Sequence, residues 1–326
     1  MQQQRFIRHF FVATLISVGT MLMSTCDDSE ALPIQADEVR YSNTLIQPTA
    51  TVVTPVITRG DFEGPINGTT FTPSSEKIFG VSAFMGNEVP TNWTPNSRIN
   101  FSPVHSDATG KYFFDESKYY PIDNKLYFYA FSPMVNCTMQ AGTSTTPPTV
   151  TYTITGREDI VWSKNESGIA KAEDPALQQH PDFQFKHLLQ RVIFSVRRTA
   201  NVSSTLQLTE IRIKGLKNKA TLNLINGTLT FENDPTHALS INYPYTPTTE
   251  FVTIPYDLMF EPGVTTFSMV AVIDGVEYPA TVTMKDEHAG KAGYKHIVQL
   301  TIYGTTLDVG TPQLTDWESF TTTGNI

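Results

Sequence analysis

Chemistry needs convergent polar side chains, and the seven histidines of this 326-residue chain are scattered. No pair of them stands at metal-ligand spacing with a carboxylate. His187 lies between Lys186 and Leu188 in a strand-like run and reads as a structural histidine. Asp115-Glu116 and Asp286-Glu287 are adjacent acids. Neighbours on a strand point to opposite faces, so both pairs read as solvated loop residues and not as an acid/base dyad. Cys137 has no nearby feature that would lower a thiol pKa. Trp93, Tyr112, Tyr119, Tyr120 and Trp162 could stack on sugars, although core or edge packing is the commoner fate of such rings. There is no Gly-x-Ser-x-Gly elbow, Walker loop or dinucleotide fingerprint. Catalytic residues, cofactor and metal are therefore all expected to be absent, and the chain is not expected to be an enzyme.

Composition narrows the class. The net charge is −9, with 32 acidic and 23 basic residues. That balance argues against nucleic acid or an anionic membrane surface as a partner. Charged residues make up only 17% of the chain, while Thr, Ser, Asn, Pro and aromatics abound, as in exported β proteins. Only Cys26 and Cys137 are present, too few for a disulfide framework.

The N-terminus explains the export. Arg5 and Arg8 precede an uncharged apolar run, Phe10 to Met23, of about 14 residues, shorter than the roughly 20 needed to span a bilayer. This is a secretory signal. It resembles a bacterial lipoprotein signal: Ser24 suits the pattern, Cys26 would be acylated, and Thr25 departs from the small residue usual before the cysteine. The acidic Asp27-Asp28-Ser29-Glu30 resembles a tag for surface export across the outer membrane. Loss of residues 1–25 removes two arginines and no acid, taking the net charge from −9 to −11.

Beyond a tether at 26–48, the elements read as short strands. Thr49 to Thr58 is the first, with Pro55 suited to an edge or bulge; Arg59-Gly60 ends it. Ile78 to Met85 follows, then a long surface excursion from Asn87 to Gly110. Lys125 to Phe131 is apolar enough to be buried on both faces. Thr149 to Thr155 alternates, and Asp159 to Trp162 closes a first domain, 49–165. A linker at 166–181, with a short helical turn, leads to a second domain, 182–326. There the alternation slips phase near His187, as at a bulge or one helical turn. A two-residue turn at Asn226-Gly227 pairs Leu224 with Leu229 and Leu222 with Phe231. Another at Asp274-Gly275 pairs Ala271 with Tyr278, Met269 with Ala280 and Phe267 with Val282. Tyr294, His296, Val298, Leu300 and Ile302 alternate inward. The chain is expected to be all-β, built as sandwiches.

Several phrases run across nearly the whole chain: Ile57-Thr-Arg59, Phe79 to Phe84, Tyr120 to Phe131, Phe185 to Phe194, and Leu300 to Ile302 with Trp317. With the lipoprotein signal, they resemble the fimbrillin-like (Mfa-like) family, the subunits of type V pili. The resemblance implies two tandem transthyretin-like β-sandwich domains and assembly by strand exchange. An arginine-directed protease removes the N-terminal strand, and the exposed groove accepts a strand from another subunit. Thr49 to Ile57 is then the leaving strand and Arg59 the cut. Arg40 is the alternative, where cleavage would remove only the tether. Gln313 to Ile326 reads either as a donor strand or as an ordinary final strand. The partners implied are other pilus subunits, the outer membrane through a lipid on Cys26, and a host protein or glycan. The place implied is the outer cell surface. The alternative is a non-polymerising surface lipoprotein acting as tip, anchor or glycan- or host-protein-binding adhesin.

Overall fold

The computed structural model describes residues 39–55, 65–69, 79–107, 109–304 and 306–315. From Arg40 onward the described residues form one compact unit. The first half of the chain supplies β1 (Tyr41–Leu45), β2 (Thr49–Pro55), β3 (Pro65–Thr69), β4 (Phe79–Gly86), β5 (Ser97–Ser106), β6 (Tyr112–Phe114), β7 (Tyr119–Pro121), β8 (Lys125–Ser132), β9 (Cys137–Gln140), β10 (Thr149–Thr153) and β11 (Val161–Ile169). After one 3₁₀ turn at Pro175–Leu177 come β12 (Asp182–His187), β13 (Gln190–Arg198), β14 (Leu208–Leu216), β15 (Lys219–Asn223), β16 (Leu229–Phe231), β17 (His237–Tyr245) and β18 (Val252–Phe260). The chain continues through β19 (Thr266–Ile273), β20 (Val276–Thr283), β21 (Lys295–Ile302), β22 (Leu307–Val309) and β23 (Gln313–Thr315). The protein is all-β, as its composition and alternation imply.

Among the described residues, the largest sheet has eight strands in the order β3-β2-β12-β11-β8-β4-β5-β6. One of its faces encloses a core of Phe79, Val81, Phe128, Ala130, Phe183 and Phe185 with Ile46, Ala50, Tyr112 and Tyr120. Phe79 in β4 meets Tyr112, Phe183 and Phe185 at ring-centroid distances of 5.7, 5.8 and 5.2 Å. The Tyr112 hydroxyl of β6 reaches the Ala50 carbonyl of β2 at 3.4 Å. Strands from opposite ends of the sheet therefore meet, and the sheet rolls around its own aromatic core. Its other face packs Phe84, Tyr127, Tyr129 and Phe131 on Val150, Tyr152, Ala220 and Leu222 of a four-stranded sheet, β16-β15-β10-β9. This double packing is why β8 is an unbroken aromatic run: alternate residues enter two different cores.

The third core lies between β18-β13-β21-β22, with β23 also on β21, and the sheet β17-β14-β19-β20. The β19–β20 hairpin has the expected register: Ala271 faces Tyr278, Met269 faces Ala280 and Phe267 faces Val282. Asp274 and Gly275 both take positive φ, 48° and 78°, the backbone a two-residue hairpin turn requires.

Other expectations need correction. Residues 41–45 of the expected tether form β1, whose polar pattern follows from a two-stranded exposed pairing with β7. The excursion from Asn87 to Gly110 contains the ten-residue β5. Its polar positions and Pro103 concealed it, but β6 covers only Val104 to Ser106, so Pro103 has a neighbour on one side alone, where proline is tolerated. β11 runs on to Ile169, pairing β8, into the stretch read as a linker. The sheets also cross the expected boundary at 166–181, because β12 joins β2 and β11 while β15 pairs β10. The phase slip after His187 is neither bulge nor helical turn. The chain leaves the large sheet at Leu188 and enters the next at Gln190, and the Leu188 amide and Leu189 carbonyl bond to Ile160 and Gly293.

The Asn226-Gly227 hairpin is also reregistered. Leu222 faces Leu229 and Ala220 faces Phe231, with a longer loop closed by Asn223 N–H to Thr228 O at 2.9 Å. Gly227 has φ +74°, and a Cβ there would lie 2.4 Å from the Trp162 ring. The indole Nε1 in turn donates to the Leu224 carbonyl at 2.7 Å. Trp162 thus sits against a backbone that only glycine can present.

Two substitutions test this account. Phe185→Ala, in the rolled core, should lower unfolding free energy by about 3–5 kcal/mol, whereas Phe113→Ala, at a 43% exposed position, should cost less than about 1 kcal/mol. Urea denaturation followed by tryptophan fluorescence measures both, and equal losses would refute the assignment of the aromatic core.

Candidate functional site

The N-terminal strands and the groove they fill are the site that the sequence singles out. β2 lies between β12 and β3, parallel to β12, in the register Asp182↔Thr49 through Lys186↔Val53. A parallel pairing between residues more than 130 positions apart leaves no local sequence signal, and β12 was not foreseen as the partner. The neighbouring backbone is tied down as well. Ile46 N–H donates to Lys118 O at 2.8 Å and Thr49 N–H to Pro181 O at 2.9 Å. The Thr49 hydroxyl donates to Asp182 Oδ1 at 2.7 Å. Two apolar plugs accompany the ladder: Ile46 and Ala50 are only 2% and 4% exposed. Fully burying an isoleucine contributes about 1.5–3 kcal/mol.

Tyr120 is the hub beneath this segment. It is completely buried, its carbonyl accepts the Ser42 hydroxyl at 2.9 Å, and its own hydroxyl donates to Gln179 O at 2.9 Å. Burial pushes its phenol pKa well above the ordinary value, so it stays a donor. His180 packs near the ring, at 6.3 Å between centroids, and its Nδ1 accepts the Gln47 N–H at 3.3 Å. Accepting there requires the neutral imidazole, and burial shifts the His180 pKa down from its usual value, favouring that form.

Of the processing residues, Cys26 and Arg59 lie outside the described residues, as does Trp317. Arg40 lies just before β1. Its carbonyl accepts the Ile122 N–H at 2.9 Å, and its guanidinium pairs with Asp123 at 3.2 Å with both side chains exposed. β23 pairs with the chain's own β21, with Lys295 facing Thr315 and Ile297 facing Gln313.

The other sequence candidates are not brought together. Asp115 pairs with His105, and Glu116 separately with Lys118. Asp286 bonds His296 at 3.0 Å, while Glu287 meets His288 at 3.3 Å. His187 is held by Asp159 at 2.7 Å. Trp93, Tyr112 and Tyr120 are in the cores, and of the five rings considered for sugar stacking Tyr119 is the exposed one, at 40%. Half-burial raises the Cys137 thiol pKa, which suppresses the reactive thiolate. Among the described residues no group of His, Cys, Asp and Glu could hold a metal ion.

Comparison with known proteins fits this picture. The sequence matches the family described as fimbrillin-like over residues 67–317, and the chain belongs to that family. No curated protein matches it. Among solved structures, a candidate cell adhesion protein from Bacteroides uniformis aligns with a TM-score of 0.57 at 16% identity, covering 85% of this chain and 100% of that one. A second, from Bacteroides ovatus, has a TM-score of 0.57 at 13% identity, covering 86% and 99%. At such identities the likeness shows the fold. Family membership makes the protein a cell-surface fimbrial protein, and not an enzyme.

The His180 contact has a pH consequence. With its folded pKa below the unfolded value of about 6.5, the unfolded state binds more protons in the interval between the two. Stability from this group is therefore fully present above about pH 6.5 and falls as pH drops towards the folded pKa. After correction for intrinsic rates, the Gln47 amide should exchange faster at pH 5 than at pH 7.5, and the difference should vanish in His180→Ala. Hydrogen exchange by mass spectrometry checks both.

Proposed function

We propose that this chain is a fimbrial subunit exported as a lipoprotein through acylation of Cys26, and that it assembles by strand exchange once an N-terminal strand has been removed. The observation that carries the reading is the position of β2. It is a strand held to β12 by a parallel ladder, with Ile46 and Ala50 buried beside it, and Arg59 follows four residues after its end. A cut at Arg59 releases β1 and β2 together. The vacated edge of β12 then presents unpaired backbone groups above Phe183 and Phe185, and a strand donated by another subunit satisfies both. A cut at Arg40 would leave β1 and β2 in place and open nothing.

Arginine-specific proteolysis of the mature protein should give a new N-terminus at Gly60 and a ladder of oligomers that survives mild detergent. Arg59→Ala should abolish the ladder and Arg40→Ala should not. A fully cut protein that stays monomeric at high concentration would overturn strand exchange. Intact mass of the protein from its native membrane tests the lipid: the expected species begins at Cys26 and carries acyl mass, and a chain starting there without it would refute lipidation.

A further inference from the structure

A pocket of about 260 Å³ opens beside the β1–β7 pair, lined by Tyr41, Arg98, Ser117, Lys118 and Tyr119, with the buried Ile99 and Leu126 at its floor. Its charge is unusual for this protein. The chain carries a net −9, yet the pocket lining holds two cations and no carboxylate. The acids of the adjoining stretch are engaged: Asp115 with His105, Glu116 with Lys118 and Asp123 with Arg40.

Arg98 is the telling residue. One of its terminal nitrogens donates to the carbonyls of Pro95 and Ser97, at 2.9 and 2.8 Å, which fixes the plane of the guanidinium. Its Nε is buried with no hydrogen-bond partner, and no described carboxylate pairs with the group. Because Nε is buried, a carboxylate would meet this fixed, uncompensated guanidinium through its remaining terminal nitrogen. The two flanking tyrosines are 50% and 40% exposed, so their rings offer apolar faces held open to solvent. Such faces suit the C–H face of a pyranose, and the Ser117 and Lys118 side chains add donors for hydroxyls.

We propose that this pocket binds the terminal residue of an acidic glycan, a carboxylated sugar whose carboxylate meets Arg98 and whose ring lies between Tyr41 and Tyr119. The volume admits about one monosaccharide and is smaller than the sites usual for larger ligands. The proposal does not depend on strand exchange. Because a cut at Arg59 would remove Tyr41, the site belongs to chains that keep β1.

The test uses the uncut mature chain and four probes in saturation-transfer NMR and titration: methyl β-glucuronide, methyl α-N-acetylneuraminide, methyl β-glucoside and N-acetylglycine. At least one acidic glycoside should bind about tenfold or more tighter than the glucoside, the least expected from a charge-assisted hydrogen bond. Arg98→Gln should erase that preference. Tyr119→Ala, at an exposed position where folding should survive, should weaken binding without shifting the melting temperature. The proposal is overturned if neither acidic sugar outbinds the glucoside, or if the preference persists in Arg98→Gln. It also fails if Tyr119→Ala binds as well as the parent, or if N-acetylglycine binds as tightly as the sugars, which would make this a peptide-carboxylate site.

Discussion

The unequal pairing of β12 governs the molecule. On one side it forms a five-residue parallel ladder with β2; on the other it meets β11 only at Val161↔His187 and Trp162↔Lys186. Yet β12 carries Phe183 and Phe185, which close the rolled aromatic core over Phe79. A strand that matters so much to the core is thus held in its sheet largely by a neighbour near the N-terminus. Apolar burial anchors Phe183 and Phe185 whatever lies alongside, while the backbone groups on the β2 side need a partner from somewhere.

The consequences spread through connectivity. Just after β12 the chain changes sheets at Leu188–Leu189, and β13 becomes the central strand of the next sheet, between β18 and β21. At the crossing the Leu188 N–H donates to Ile160 O, just before β11, and the Leu189 carbonyl accepts the Gly293 N–H, just before β21, so each residue keeps a backbone bond on one side of the crossing. β15 and β16 then return to extend the sheet of β10. The cores are in this way laced together by strands that leave one sheet for another, and β12 runs on into β13 with two residues between them.

How much of this was legible in the sequence follows from the range of each interaction. The β19–β20 hairpin was readable to the residue pair, because both strands, the turn and the apolar face lie within 18 consecutive residues. The neighbouring hairpin was misread by two residues: Asn226-Gly227 looks like a two-residue turn, but Leu224 is drawn into the core and donates its N–H to Pro148, which lengthens the loop. The phase slip at His187 was visible, and its cause was not, since two sheets meeting there is a tertiary fact. The partner of β2 and the role of Tyr120 were invisible for the same reason. Tyr120 stands in an aromatic stretch where nothing local distinguishes a hub from a filler. Polar patterning hid β1 and β5, because strands with one solvated face or one neighbour need few apolar residues.

The remaining edges bear on how selective strand acceptance would be. Among the described residues, the longer edge strands each contain a proline: Pro255 in β18, Pro244 in β17 and Pro279 in β20. Proline removes a donor from the outer row of the strand and discourages casual pairing. The other edges are shorter: β6, β7, β9, β16, β22 and β23 have three or four residues, β3 has five beginning with Pro65, and β1, five residues without proline, would leave with β2 on a cut at Arg59. The β2 position differs from all of these. Vacated, it would expose five consecutive ladder positions on a strand without proline, beside pockets sized for Ile46 and Ala50. Under strand exchange, an incoming strand would then find a single long, proline-free row of backbone partners with apolar sockets beside it, so that ladder length and side-chain fit together, and not exposed hydrophobicity, would select the partner.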